Sequence, residues 1–149
     1  MCGIVGRINF SGKLPPEAEV QLERAMDVMA RRGPDGRGVM AGAGRLFGHT
    51  RLAIIDPAAG AQPICDAVTG ITLTYNGEIY NFRELRAELE STGHVFSTRC
   101  DTEVLLRAYI EWGPGCLERL LGFFAFGIFD PVRRIFFAAR DRLGVKPFY

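Results

Sequence analysis

Cys2 directly follows the initiating methionine. Methionine excision favours a small second residue and would leave the Cys2 thiol beside a free α-amine, so that nucleophile and base share one residue. An unperturbed α-amine titrates at ~7.7 to 8.0 and a thiol near ~8.5, so the amine can take the thiol proton at neutral pH, directly or through a water. Taken alone, a second-position cysteine is more often an inert packing thiol. The other cysteines, Cys65, Cys100 and Cys116, form no C-x-x-C pair, and His49 and His94 do not cluster with them. Neither a zinc site nor a disulfide framework is supported, and no metal ligand is assigned.

The remaining polar candidates each have a plain local reading. Asn76-Gly77 reads as a two-residue hairpin turn, Gly33-Pro34-Asp35-Gly36 as a turn, Arg51 as a solvated surface charge and Asp101 as a helix N-cap. Only the elements around them decide whether they meet.

Gly3 to Phe10 reads as a buried strand that starts at Cys2, closed by a Ser11-Gly12 turn. The apolar stripe Ala18, Leu22, Ala25, Met26 and Met29 has helical spacing after Pro15-Pro16-Glu17, and the helix ends near Arg32. Short strands are expected around Gly38 to Met40, Arg45 to His49 and Ala53 to Ile55, and another over Ile71 to Tyr75. Asn81 with Glu84 has the spacing of a capping box, opening a helix whose inner face is Phe82, Leu85 and Leu89. A further helix follows Asp101, with its stripe through Val104, Leu105, Ala108, Tyr109 and Trp112, and Gly113-Pro114-Gly115 stops it. Phe123 to Phe129 and Arg134 to Arg140 are β-prone runs at hairpin spacing. No repeat or interdomain linker is visible, and the mixture suggests antiparallel sheet packed with helices rather than a parallel βαβ wind.

The 149 residues suffice for one domain with a sizeable core. Eighteen Lys and Arg against seventeen Asp and Glu leave a net charge of +1 without a charged block, which makes nucleic acid and membrane surfaces poor partners. No apolar stretch approaches the ~20 residues of a membrane span, and Met1 to Ser11 lacks the regions of a signal peptide. A cytoplasmic protein is expected.

Five segments read together change the weight of Cys2. They are Met-Cys-Gly-Ile-Val-Gly at the start, Arg31-Arg32-Gly33-Pro34-Asp35-Gly36, Gly48-His49-Thr50-Arg51-Leu52, Tyr75-Asn76-Gly77-Glu78-Ile79-Tyr80-Asn81 and Asp101-Thr102-Glu103. In this order they resemble class II glutamine amidotransferases, which are N-terminal-nucleophile hydrolases. Gln62-Pro63 and Arg140-Asp141-Arg142-Leu143-Gly144-Val145-Lys146-Pro147 place the resemblance in the asparagine synthetase branch. Two departures stand out: Arg31 replaces the usual His, and Cys100 occupies a slot usually filled by Ser or Gly.

The resemblance implies a four-layer α/β/β/α sandwich of two antiparallel sheets, with Cys2 as nucleophile and the Asn76 amide and Gly77 N–H as an oxyanion hole. It implies that Arg51 binds the α-carboxylate of L-glutamine, that Leu52, Ala53, Ile54 and Ile55 give backbone contacts, and that Asp101 with Glu78 holds the α-ammonium. Gly33 to Gly36 would belong to a loop closing over glutamine, and neither histidine has a catalytic part. The reaction implied is glutamine hydrolysis to glutamate and ammonia. The ammonia would pass to a synthetase domain, in the same or a companion chain, that uses ATP and Mg2+ to amidate aspartate. Residues 1–149 are expected to form the glutaminase domain, incomplete at its C-terminal side, with the synthetase domain and its cofactors absent and a homodimer compatible with the reading. Alternatives are a glutaminase serving another synthetase, for amidated sugars, peptides or β-lactam-like rings, or a non-catalytic remnant.

Overall fold

The computed structural model describes residues 1–42, 44–53 and 59–149. Its first sheet has the order β1-β3-β2, from β1 (Gly3–Ile8), β2 (Gly36–Gly42) and β3 (Arg45–Arg51). The second has the order β4-β5-β6-β7, from β4 (Ile64–Cys65), β5 (Thr72–Ile79), β6 (Gly122–Asp130) and β7 (Ile135–Arg140). Every strand pair is antiparallel.

Side-chain alternation explains the layering. On β3, Leu46 joins Ala18, Leu22 and Met26 of α1 (Ala18–Val28) in a small outer core. Its neighbours Phe47 and His49 point the other way, where Phe47 meets Phe136 of β7 and His49 meets Thr74 of β5. On the second sheet Leu73, Tyr75 and Ile79 of β5 and Phe124, Phe126 and Ile128 of β6 pack on α2 (Phe82–Ser91) and α3 (Asp101–Trp112). The arrangement is two stacked antiparallel sheets with helices on both outer faces. β6 reads as an unbroken apolar run rather than an alternating one because both of its faces are covered.

Three local expectations give way to longer-range contacts. Asn76-Gly77 is no turn: both residues lie inside β5, paired with Ala125 and Phe124. Glycine is needed there for close approach, since a Cβ would collide with the Phe123 carbonyl oxygen and lie 2.7 Å from Phe124 Cα. The capping box does not form. Asn81 makes no cap bond to α2, because its amide instead donates to the Arg119 carbonyl and accepts from the Leu121 N–H. Asp101 is the first residue of α3 and Cys100 the cap position, for the Asp101 carboxylate is turned toward β5. The strand expected over Ala53 to Ile55 falls partly outside the described residues; Ala53 itself is not in a strand.

The segment after β7 is built on Asp141. This buried carboxylate accepts from the N–H groups of Phe124, Val145 and Lys146, and so ties the 141–146 turn to the start of β6. Burial alone would raise its pKa, but the N–H donors of Lys146, Val145, Phe124 and Leu143 hold it below the ordinary 3.8. The folded state therefore favours the ionised form: this stabilisation is intact above the unfolded-state value and fades as pH falls through the lower folded one. Asp141→Ala should cost about 2 kcal/mol or more in urea unfolding at neutral pH, because it strands buried N–H donors. As pH falls through the lowered folded value the gap between wild type and variant should narrow; a constant gap down to acid unfolding would contradict this role.

Candidate active site

β1 and β3 run in register from Gly3 opposite Thr50 to Ile8 opposite Arg45, so Cys2 falls at the end of the ladder. Thr50 closes that end: its hydroxyl accepts from the Gly3 N–H at 3.2 Å and donates to the Met29 carbonyl at 3.4 Å. The Cys2 sulfur then rests against the backbone of Leu52, whose N–H donates to it at 3.3 Å and whose carbonyl lies 3.7 Å away. From the other side Arg32 Nε donates to the Cys2 carbonyl at 3.2 Å. Asp35 fixes the chain where it leaves β3, accepting from the Ala53 N–H through Oδ2 and donating its own N–H to the Arg51 carbonyl, both at 2.9 Å.

Cys2 opens on a cavity of about 270 Å³ whose wall includes Arg51, Leu52, Asn76, Gly77, Glu78 and Asp101. That volume is at the small end of ligand clefts. The cavity thus gathers residues from β3, β5, β6 and α3 around the segment that leads into β1. Ala53 does not line it, and Ile54 and Ile55 lie outside the described residues.

The exposed edge of β5 gives the cavity its donor. β4 pairs only with Thr72 and Leu73, so beyond Leu73 the N–H groups pointing away from β6 have no strand partner. Alternate N–H groups along a strand share an edge. The Tyr75 N–H is taken by Gln62 Oε1 at 2.8 Å and the Ile79 N–H by Asp101 Oδ2 at 3.1 Å. The Gly77 N–H lies between these two on the same edge and faces the cavity. The Asn76 side chain points between the sheets, toward the Cys2 side, and is buried. A side-chain amide and a backbone N–H therefore line the same cavity as the thiol.

Asp101 is buried with one carboxylate oxygen on the Tyr75 hydroxyl at 2.7 Å. Burial raises its pKa above 3.8, with the Tyr75 hydroxyl and the Ile79 N–H pulling it back. The Tyr75 phenol is in turn pushed well above 10 by burial and then by Asp101. His49 is buried outside the cavity wall. Desolvation, helped by Arg51, lowers its pKa to about 4, so the ring is neutral at pH 7, and its Nε2 has no partner among the described residues. His94 pairs with Glu111 at 2.8 Å, away from the cavity. Cys116 is a core thiol with its pKa pushed up by burial to about 12, whereas Cys100 lines the cavity with its sulfur 3.0 Å from the Thr98 hydroxyl. Among the described residues no group of His, Cys, Asp and Glu could hold a metal ion, and no helix is long and apolar enough to cross a membrane.

Four residues of this neighbourhood carry no role in the sequence reading: Arg32, Gln62, Tyr75 and Lys146. All four belong to segments that carry the resemblance, which is the only signal pointing to them. Gln62 bridges β5 and α3, accepting from Tyr75 and donating to the Thr102 hydroxyl at 3.3 Å.

Comparison with known proteins bears on family and fold. A family model described as a glutamine amidotransferase domain matches residues 1–149. The glutamine-hydrolyzing asparagine synthetase 3 of Bacillus subtilis is 48% identical over 151 residues, which take in 100% of this chain and 24% of that protein. The chain thus spans about a quarter of the length of that curated relative. The solved structure of glutamine phosphoribosylpyrophosphate amidotransferase from B. subtilis, complexed with ADP and GMP, matches with a TM-score of 0.72 at 23% identity, over 98% of this chain and 38% of that one. An allosteric regulatory enzyme of purine biosynthesis matches with a TM-score of 0.75 at 22% identity, over 97% of this chain and 38% of that one. At those identities the two structures speak for a shared fold.

The raised pKa of Asp101 has a consequence for stability. Ionising it costs the folded state, so stability is highest below the unfolded-state value and declines as pH rises through the folded one. Asp101→Asn keeps an oxygen for the Tyr75 hydroxyl and the Ile79 N–H while removing the buried charge. Its thermal midpoint at pH 7 should equal or exceed that of the wild type; a drop of several degrees would show that the charge itself holds the site together.

Proposed function

The chain belongs to the glutamine amidotransferase domain family, and from that premise we propose that it hydrolyses L-glutamine to L-glutamate and ammonia with Cys2 as the nucleophile. The observation that carries this reading is the placement of the Cys2 thiol, on the Leu52 N–H, in one cavity with Arg51, Asn76, Gly77, Glu78 and Asp101. With Met1 removed, the α-amine of Cys2 takes the thiol proton and the sulfur attacks the carboxamide carbon. The oxygen of the tetrahedral intermediate is met by the Asn76 amide and the Gly77 N–H, donors already fixed by a paired strand and so needing no reorganisation. The intermediate collapses to a γ-glutamyl thioester as ammonia leaves with the proton from the amine. Water, deprotonated by the same amine, then frees glutamate and restores the thiol.

Arg51 and the carboxylates Asp101 and Glu78 offer opposite charges for the two ends of the amino-acid moiety, a guanidinium fork for the carboxylate and acceptors for the ammonium. Recognition of an α-amino acid follows, since its two charged ends must be satisfied at once. Residues 1–149 then form the glutaminase domain of an asparagine-synthetase-type enzyme, with ammonia delivered to an ATP- and Mg2+-dependent domain outside these residues that amidates aspartate. That domain lies in the same or a companion chain, and no step within residues 1–149 uses either cofactor.

In an intact glutaminase domain, Cys2→Ala should abolish glutamate release while the thermal midpoint stays near that of the wild type; near-normal turnover would end the mechanism. Asn76→Ala should lower turnover by ~10² to 10³ with a smaller change in glutamine affinity. An equal effect on substrate binding alone, measured by calorimetry in the Cys2→Ala background, would move Asn76 from stabilising the transition state to holding the ground state.

A further inference from the structure

Among the described residues, Lys146 is the one charged residue of the cavity wall, besides Arg51, Glu78 and Asp101, that the proposed mechanism leaves unused. It is 5% exposed, and its placement is imposed: Asp141 accepts its backbone N–H at 2.9 Å and ties the turn to β6. The side chain crosses the Phe123 ring with Nζ 4.3 Å from the centroid, and Nζ donates to the sulfur of Met1 at 2.8 Å. A ring face and a thioether are weak partners for a buried ammonium, and neither carries a negative charge. Met1 is joined to Cys2 by a peptide bond, so Lys146 stands a side chain's length from the backbone nitrogen that becomes the α-amine when Met1 is removed. Removal also takes away the thioether, leaving the ammonium facing that new amine across the vacated space.

We infer that Lys146 is a positioning residue for the nucleophile: its fixed positive charge keeps the α-amine of mature Cys2 unprotonated near neutral pH, ready to accept the thiol proton. This rests on the glutaminase reading above. A cation lowers the proton affinity of a neighbouring amine, and an unperturbed α-amine would be largely protonated at pH 7. The other charged groups around the site divide. Arg32, on the Cys2 carbonyl, and Arg51, from the end of β3, act in the same direction as Lys146; Glu78 from β5, Asp101 from α3 and Asp141 in the turn oppose it. Lys146 is distinguished by reaching into the volume that Met1 vacates. Its own balance is consistent with a site that tolerates the cation at a cost, since burial and then Arg32 lower its pKa while Cys2, Asp141 and Glu78 raise it.

The test is the pH dependence, from about pH 5.5 to 9, of covalent labelling at Cys2 by a glutamine-like chloroketone. It uses chain shown by mass to start at Cys2, and peptide mass analysis locates the label. Lys146→Met keeps the stem over Phe123 and removes the charge, so the acid limb of the labelling rate should move up by about one pH unit, with the high-pH plateau within about twofold of wild type. Lys146→Arg should restore the wild-type limb. An unshifted limb in a folded Lys146→Met overturns the inference, and so does a loss spread evenly over all pH, which marks a packing role. Should Lys146→Met fail to fold, Lys146→Arg decides: a limb in the wild-type place supports the charge, and a displaced one overturns it. Failure of the wild type to be labelled at Cys2 would instead bring down the glutaminase reading, and this inference with it.

Discussion

The site depends on an edge of sheet left open. β4 is two residues long, so β5 runs on past its neighbour with buried N–H groups that must find acceptors elsewhere. Gln62 and Asp101 answer at Tyr75 and Ile79, and in doing so they anchor the 62–63 segment and the first turn of α3 beside the strand. Between them the Gly77 donor faces the cavity. A full-length partner strand would satisfy all three donors and erase the site.

The nucleophile arrives by a different route. Cys2 is placed by β1 pairing with β3 and by the Thr50 hydroxyl, which holds both Gly3 and Met29. The two halves meet where the sheets stack, so the distance between thiol and donors is set by inter-sheet packing: Phe47 on Phe136, Phe10 on Phe129, His49 on Thr74. The buried neutral histidine fits this account. A charged ring between the sheets would be costly, and its low pKa keeps it uncharged through the working range.

Much of this was legible in the sequence, and the failures share a cause. The helices at Ala18, Phe82 and Asp101 and the hairpin of β6 and β7 follow from periodicity and breakers, because their apolar faces are local patterns. Cys2, Arg51, Asn76, Gly77, Glu78 and Asp101 are all candidates on the sequence, and all line one cavity. Local patterns mislead about their surroundings wherever a polar side chain bonds across the fold. Asn-Gly is a turn signal in a short window, yet pairing with Ala125 and Phe124 overrides it. Asn81 and Asp101 look like caps but bond to residues far along the chain. Lys146 and Met1 sit at opposite ends of the sequence, and no local pattern could bring them together.

The alternation of donors along β5 bears on how such a chain can change over evolutionary time. Apart from Tyr75, Asn76 and Gly77, substitutions on the helix-facing or sheet-facing side of this strand alter packing by degrees, and a lineage can explore them one at a time. Inserting or deleting a single residue within β5, between the β4 pairing at Leu73 and Asn76, is another matter. It would exchange the two edges of the strand from that point on, turning the cavity donor into the ladder and delivering Asn76 to the helices. Length polymorphism should therefore be tolerated in the connections of this fold but shunned between residues 72 and 79. That stretch behaves as a ruler rather than a linker.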